Sequence, residues 1–269
     1  MADRKPDSRN AWKAIAYRWR RPVSGQTGQL QAVTHPHRIP LDDLLGIDTQ
    51  KAELDRNTRQ FVKGLPANNA LLWGSRGTGK SSLIKALLNE YAGQGLRLIE
   101  AESGELTDLP DIVEPLYGRK ERYLIFADDL SFEANDPSYK ALKAVMDGSI
   151  AAAPDNVLIY ATSNRRHLMP EFHSENEQAR LIDTEIHHGE AVEEKISLSE
   201  RFGLWLSFYP FNQDQYLTIV RHHLVALGVK QPDTETIRGA ALRYALSRGS
   251  RSGRVAMQFA RDWAGRTQL

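Results

Sequence analysis

Residues 74–81 read GSRGTGKS and match the pattern G-x-x-x-x-G-K-[ST] of a loop that binds nucleotide phosphates. Glycines let such a loop bend until successive backbone N–H groups converge on phosphate oxygens. An apolar run, ALLWG, leads into the loop, and the amphipathic stretch SSLIKALLNEY follows it. This order of strand, glycine-rich turn and helix predicts a nucleotide site and disfavours the alternative, an ordinary glycine turn.

The loop and the helical turn after it supply candidate ligands for ATP and Mg²⁺. Lys80 is long enough to reach the β- and γ-phosphates, and the hydroxyl of Ser81 suits Mg²⁺. The helix that begins near Lys80 adds the positive end of its dipole. The residues expected to bind the nucleotide are Gly74, Ser75, Arg76, Gly77, Thr78, Gly79, Lys80, Ser81 and Ser82.

A second apolar run, YLIFA at 123–127, ends in two adjacent acids, Asp128 and Asp129. Ligands of open α/β sheets bind at the carboxyl ends of the strands, where this pair would lie. Mg²⁺ prefers oxygen ligands and keeps several waters, so one carboxylate is enough. We expect Asp128 to bind Mg²⁺ with Ser81, and Asp129 to orient the attacking water. The alternative is that both aspartates cap the following turn.

The remaining pattern predicts an α/β fold. Further strand candidates are LRLIEA (96–101), VLIYAT (157–162) and LWLSFY (204–209), and SYKALKAVMDG (138–148) is typical of a helix. Near-continuous apolar runs separated by helical stretches indicate a parallel sheet that is buried on both faces. Three helical segments follow Pro210. The predicted parts are an N-terminal arm at 1–40, a nucleotide-binding α/β domain at 41–209 and an all-helical domain at 210–269.

Composition excludes several kinds of site. The chain has 269 residues and no cysteine, which rules out disulfides, cysteine-bound metal centres and a cysteine nucleophile. The net charge of +1 names no partner. No apolar run approaches the length of about 20 residues that spans a bilayer, and the N-terminus has no apolar signal region. We therefore expect a cytoplasmic protein without a membrane span.

Two segments leave alternatives open. In the N-terminal arm, apolar residues with basic neighbours lie at helical spacing: Trp12, Ile15, Ala16 and Trp19. Such a stripe docks on its own domain or on a neighbouring subunit, binds single-stranded nucleic acid, or is disordered. The acidic segment 171–194 contains three histidines and is interpreted as a solvated insertion or a partner-binding loop, with a metal site as the alternative.

With these motifs in this order, the chain resembles the AAA+ family of P-loop ATPases. Four further segments resemble parts of that family, namely HRIPLDDLLGID (37–48), which would cover the adenine, VLIYATSN (157–164), SERFGLWL (199–206) and SRGSRSGRVAMQFARDWA (247–264). The last resembles the lid helix of bacterial branch-migration motors. The whole chain most resembles a bacterial AAA+ family catalogued as domain of unknown function 815. The family usually has Asp-Glu where this chain has Asp-Asp, a pair that the replication initiator branch also uses.

The resemblance implies roles for three more residues. Asn164 stands where the family carries its sensor 1 residue and would bind the attacking water or a γ-phosphate oxygen. Arg201 would be an arginine finger acting on a neighbouring subunit's ATP. Arg254, with Arg251 as the alternative, would reach the phosphates from the lid. The structural alternatives are a turn amide for Asn164 and a surface ion pair for Arg201.

The resemblance therefore implies a Mg²⁺-dependent ATPase that hydrolyses ATP slowly and couples it to movements of the lid and of neighbouring subunits. The implied assembly is a homo-oligomer, a ring or filament with shared ATP sites. Two other functions stay open: a nucleotide-gated switch or loader without appreciable turnover, and a small-molecule kinase that uses the same phosphate loop. The sequence names no client, and nucleic acid is one open class.

Overall fold

The computed structural model describes residues 12–21, 28–131, 137–147, 154–164 and 200–267. The strands are β1 (Ala16–Arg20), β2 (Gln29–Ala32), β3 (Ala70–Gly74), β4 (Leu96–Ala101), β5 (Arg122–Ala127), β6 (Val157–Ser163) and β7 (Leu204–Phe208). They form one seven-stranded sheet in the order β2-β1-β4-β5-β6-β3-β7. Every neighbouring pair is parallel except β1 and β2, which are antiparallel. The predicted parallel α/β sheet is confirmed.

Helices cover the sheet and follow it in the chain. Those described are α1 (Asp48–Val62), α2 (Lys80–Tyr91), α3 (Leu109–Val113), α4 (Pro137–Asp147), α5 (Gln213–Ala226), α6 (Glu235–Ser247) and α7 (Gly253–Thr267). The strand candidates at 70–74, 96–101, 123–127, 157–162 and 204–209 all lie in the sheet. The helical segments after Pro210 become α5 to α7.

The centre of the sheet explains its apolar sequence. Leu124 and Phe126 of β5 face one core cluster, whereas Tyr123 and Ile125 face the other. All four side chains are fully buried. Because both faces of β5 are covered, its strand needs apolar residues at every position rather than at alternate ones. Asp128 follows directly at the carboxyl end of this buried strand.

Part of the N-terminal arm is a strand, although its apolar residues lie at helical spacing. Residues 16–20 form β1, which pairs in parallel with β4 and so extends the sheet. The deciding pattern is YRWR at 17–20, in which the buried residues Tyr17 and Trp19 alternate with the partly buried Arg18 and Arg20. A period of two is a strand pattern, and it overrides the helical spacing of Ala16 and Trp19. The arm docks on its own domain, but as a strand.

The basic residues of β1 are ion-paired within the chain. Arg18 contacts Glu100 and Arg20 contacts Glu102, at 2.6 and 2.8 Å. Arg21 pairs with Asp108, which also accepts a hydrogen bond from the indole N–H of Trp19. These contacts reduce the charge that this segment can offer to a nucleic acid backbone.

The three C-terminal helices begin at polar caps. Asn212 accepts a hydrogen bond from the backbone N–H of Gln215 at the start of α5, and Thr234 accepts one from Ile237 at the start of α6. Ser252 accepts one from Val255 at the start of α7. Side-chain caps of this kind satisfy N–H groups that a helix leaves free. The caps fix where α7 starts, next to the phosphate loop.

The remaining predictions concern the acidic segment, a metal site and membrane-spanning helices. The acidic segment 171–194, with His173, His187 and His188, lies outside the described residues. Among the residues that are described, no three or more His, Cys, Asp or Glu side chains gather as a metal cluster. No helix in the described part of the chain combines the length and apolar character needed to cross a membrane.

Candidate functional site

The phosphate loop joins β3 to α2 and depends on glycine. Gly74, Gly77 and Gly79 have φ angles of 127°, 74° and 106°, a region that glycine enters far more readily than other residues. At Gly74 a Cβ atom would lie 2.0 Å from the carbonyl oxygen of Phe208 on β7. The bend and the close approach of β7 therefore both require the glycines.

Lys80 lies beneath this loop. The residue is 7% exposed, and its ammonium group donates to the carbonyl oxygens of Gly74 at 2.7 Å and Ser75 at 2.8 Å. Burial lowers the pKa of Lys80 to about 8, although the carboxylates of Asp129 and Asp128 oppose that shift. The loop's own carbonyls thus hold the charge close to the path of a bound phosphate chain.

Ser81 and Asp128 meet at the carboxyl ends of the strands. The hydroxyl of Ser81 donates to Oδ1 of Asp128 at 2.6 Å, and the hydroxyl of Thr162 donates to the same oxygen at 2.5 Å. A hydroxyl and a carboxylate are hard oxygen ligands, and Mg²⁺ usually takes one or two such protein ligands and completes its shell with water and phosphate. The donor set therefore fits Mg²⁺.

Asp129 has different surroundings. Its side chain is 62% exposed, with Oδ2 at 3.9 Å from the guanidinium of Arg76. Its backbone has a φ of 53°, the left-handed region that Asp tolerates better than most residues. Its N–H donates to the hydroxyl oxygen of Thr162 at 2.9 Å. The carboxylate consequently stands at the open side of the site.

Asn164 directly follows β6 and bridges the ammonium of Lys80 and the carboxylate of Asp129. Its Oδ1 accepts from the ammonium of Lys80 at 3.3 Å, and its Nδ2 donates to the carboxylate of Asp129. The positive and negative neighbours fix which end of the amide faces which group. The structure therefore brings Asn164, Lys80 and Asp129 together at the loop.

The start of α7 contacts the loop directly. The backbone N–H of Arg254 donates to the carbonyl of Gly77 at 3.3 Å. A Cβ added to Gly77 would lie 3.0 Å from Oγ of Ser252. Both Arg251 and Arg254 are exposed, and the carbonyl of Arg251 accepts from the N–H of Phe211, in the segment between β7 and α5, at 3.2 Å. Of the two arginines, Arg254 is the one in contact with the loop.

The segment 37–48 approaches from the other side. The Cδ1 atom of Ile47 lies 3.4 Å from a Cβ built on Gly79, and Gly46 packs against the ring of Phe211. Asp43 lies 3.2 Å from Nε2 of His222 on α5. The loop is therefore flanked by Ile47 on one side and by the start of α7 on the other.

Arg201 lies away from the loop of its own chain. It precedes β7, and its Nε contacts Oδ1 of Asp147 at 2.5 Å, a bond that raises the pKa of Arg201. Strands β3 and β7 are parallel and in register from Ala70 with Leu204 to Gly74 with Phe208. Four residue steps separate the two ends by about 13 Å. Arg201 thus lies at the amino ends of the strands, whereas the phosphate loop of its own chain lies at their carboxyl ends.

The ion pair of Arg201 is the structural alternative that the sequence left open for this residue, but the contact partners in two places were not predicted from the sequence. One is the double hydrogen bond of Thr162 with the two aspartates, and the other is the pairing of Arg201 with Asp147. The polar run at the end of β6 signals that Thr162 faces the site. Nothing in the sequence indicates Asp147, which is 54 positions from its partner.

Comparisons with known proteins give a family match and a match to one curated relative. A model of the family described as Protein of unknown function (DUF815) matches residues 12–267. The replication factor C large subunit of Staphylothermus marinus is 32% identical over 87 residues, which make up 29% of this chain and 20% of that protein.

Solved structures show the same fold at low identity. The RuvB Holliday junction branch migration motor of Thermotoga maritima has a TM-score of 0.53 and 18% identity over 82% of this chain and 63% of its own. The FIGL-1 AAA domain in complex with ADP has a TM-score of 0.54 and 20% identity over 86% of this chain and 74% of its own. The chain thus spans about a fifth of the replication factor subunit and less than two thirds of the RuvB chain.

Proposed function

The chain belongs to the DUF815 family and has the AAA+ fold, and on that premise we propose that it is a Mg²⁺-dependent ATPase with slow turnover. The observation that carries the proposal is the convergence of Lys80, Asp128, Asp129 and Asn164 on one glycine-rich loop. Each supplies a group that phosphoryl transfer to water requires: a cation, a metal carboxylate, a base and a positioning amide.

The chain's residues divide this work between them. Backbone N–H groups of 74–82 bind the phosphates, and the ammonium of Lys80 offsets their charge. Ser81 and Asp128 hold Mg²⁺, which when bound neutralises charge on the β- and γ-phosphates. Asp129 orients the attacking water and accepts its proton, and Asn164 fixes the carboxylate in place.

Slow turnover follows from the second acid. The side chain of Asp is one methylene shorter than that of Glu, so its carboxylate reaches about 1.5 Å less far. A misplacement of that size lowers a rate by about 10²-fold. The carboxylate of Asp129 is also engaged by Asn164 and faces Arg76. This engagement favours a second candidate, a nucleotide-gated switch in which hydrolysis is negligible.

The position of Arg201 supports shared sites. An arginine at the amino ends of the strands, away from its own loop at the carboxyl ends, is placed to reach a neighbour's phosphates, as in a head-to-tail ring or filament. In this assembly α5 to α7 act as the lid, the parts at 41–209 and 210–269 move relative to each other, and Arg254 carries the movement to the loop. Because RuvB is named as a Holliday junction motor, nucleic acid is the first client class to test for stimulation of turnover.

Phosphate release from ATP tests the proposal. The wild-type protein should release phosphate in Mg²⁺ but not in EDTA, and the variant Lys80→Ala should release none in either condition. Tight ATP binding without any release would favour the switch. ADP formation only after a small-molecule phosphate acceptor is added would favour the kinase.

A further inference from the structure

Thr162 lies behind the two aspartates of the site. It belongs to β6, which runs parallel to β5 with Ala161 beside Ala127, so Thr162 comes level with Asp128. The residue is 1% exposed. Its backbone carbonyl accepts from the N–H of Leu130 at 2.6 Å, which ties the chain after the aspartates to β6.

The hydroxyl of Thr162 accepts a hydrogen bond from one aspartate and donates one to the other. The backbone N–H of Asp129 is a donor, so the threonine oxygen accepts there, at 2.9 Å. The single hydroxyl proton must then point to Oδ1 of Asp128, at 2.5 Å. Because Ser81 also donates to that oxygen, two hydroxyls hold the carboxylate of Asp128 from two sides.

The same hydroxyl fixes the backbone of Asp129. Its φ of 53° is unusual for any residue other than glycine. A hydrogen bond to the N–H at that position helps to hold the turn, and the turn determines where the carboxylate points. The β-branched side chain of Thr162 has few allowed rotamers, which suits it to this task.

We propose that Thr162 is a positioning residue for ATP hydrolysis, whose one hydroxyl sets the geometry of both the metal carboxylate Asp128 and the water-orienting Asp129. The inference rests on the proposed function, because it gives Thr162 a part in that same reaction. Thr162 touches neither nucleotide nor water in this account and acts through the two acids.

The variant Thr162→Val keeps the shape of the side chain and removes the hydroxyl. We expect kcat to fall about 10²-fold, since the two acids lose their alignment. The Mg²⁺ concentration that gives half-maximal turnover should rise about tenfold, as for the loss of other outer partners of metal ligands. The affinity for ATP in EDTA should stay unchanged, because the phosphate loop is intact.

Two further variants separate positioning from stability. Thr162→Ser retains the hydroxyl and should restore most of the turnover and the Mg²⁺ dependence. Thr58→Val is the matched control: Thr58 is fully buried in α1, where its hydroxyl donates to the carbonyl of Leu54 at 2.8 Å. This control should lower Tm without a change in Mg²⁺ dependence.

Unchanged kcat and Mg²⁺ dependence in Thr162→Val would overturn the inference, and so would equal impairment of the Val and Ser variants. A wild-type protein that hydrolyses nothing would instead refute the proposed ATPase. In that case the Mg²⁺ dependence of ATP binding still decides about Thr162. A higher Mg²⁺ concentration for half-maximal stimulation of ATP binding in Thr162→Val than in wild type supports its effect on the metal carboxylate Asp128, and identical curves reject it.

Discussion

Asp128 and Asp129 are adjacent in the chain, yet their side chains have different environments. The first is partly buried and accepts bonds from the hydroxyls of Ser81 and Thr162, whereas the second is exposed and follows a left-handed backbone turn. A carboxylate held by two hydroxyls is suited to a fixed metal site. A carboxylate at the open side is suited to binding water, so the two acids should respond differently to mutation.

Replacing each aspartate by asparagine should separate these roles. Asp128→Asn removes a charge from the Mg²⁺ site and should weaken Mg²⁺-ATP binding as well as turnover. Asp129→Asn should leave binding nearly intact and slow hydrolysis by about 10²- to 10⁴-fold, the range expected for loss of a general base. Stopped-flow nucleotide binding and phosphate release measure the two effects. If Asp129→Asn hydrolyses ATP at the wild-type rate, another base acts, and Glu133, which lies outside the described residues, is the next candidate.

Lys80 should dominate the affinity for nucleotide. Hydrogen bonds to charged groups contribute about 1.5–3 kcal/mol each. Because Lys80 is expected to bond both the β- and the γ-phosphate, Lys80→Ala should weaken ATP binding by at least about 10²-fold in a titration. Lys85→Ala is the control on the same helix, since Lys85 lies over the ring of Phe126 and not at the loop. If the Lys80 and Lys85 variants bind ATP with equal affinity, the loop is not the nucleotide-binding site.

The contact between α7 and the phosphate loop leaves little room for a side chain on Gly77. Gly77→Ala would place a Cβ near Ser252 and strain a backbone with a φ of 74°. Gly118→Ala carries the same backbone penalty at a φ of 71°, but in open space. Both should lose about 1–2 kcal/mol of stability for the left-handed backbone, measured by denaturant unfolding. Only Gly77→Ala should lose more stability than this and also weaken ATP binding. If both variants lose the same stability, the contact with α7 does not restrict the loop at Gly77.

The ion pair between Arg201 and Asp147 joins the start of β7 to the end of α4. If Arg201 acts on a neighbour's ATP, it must leave Asp147 to do so. Asp147→Asn removes that competitor and should lower the protein concentration needed for half-maximal turnover, whereas Arg201→Ala should bind ATP and lose turnover. A concentration dependence that is the same for Asp147→Asn and wild type would show that the pair does not restrain the arginine.

The success of the sequence predictions depended on how local their signals are. Five strands were predicted because β3 to β7 are mostly apolar, the pattern of strands in a largely parallel sheet. The strand at 16–20 was missed because only four alternating residues, 17–20, signal it, and a helical spacing overlaps them. Residues of the loop could be identified from one motif. Thr162 and Asp147 contact partners 34 and 54 positions away, and no local pattern reports such contacts.

At the scale of the whole molecule, the proposed function needs a second copy of the chain to complete each ATP site. The carboxyl ends of the strands carry the loop, the aspartates and Asn164, and the amino end of β7 carries Arg201. Mixing Arg201→Ala with Lys80→Ala should therefore recover some turnover, because a mixed interface contains one intact loop facing one intact arginine. No recovery at any ratio, with mixed assembly shown by an independent label, would exclude action between subunits.

The rate of phosphate release per subunit, measured against protein concentration at saturating Mg²⁺ and ATP, tests the shared ATPase site most directly. We expect a slow rate that rises with concentration to a plateau as subunits associate. The variant Lys80→Ala should stay at background throughout. A rate per subunit that does not depend on concentration, or the absence of release above the Lys80→Ala background at every concentration, would contradict a shared ATPase site.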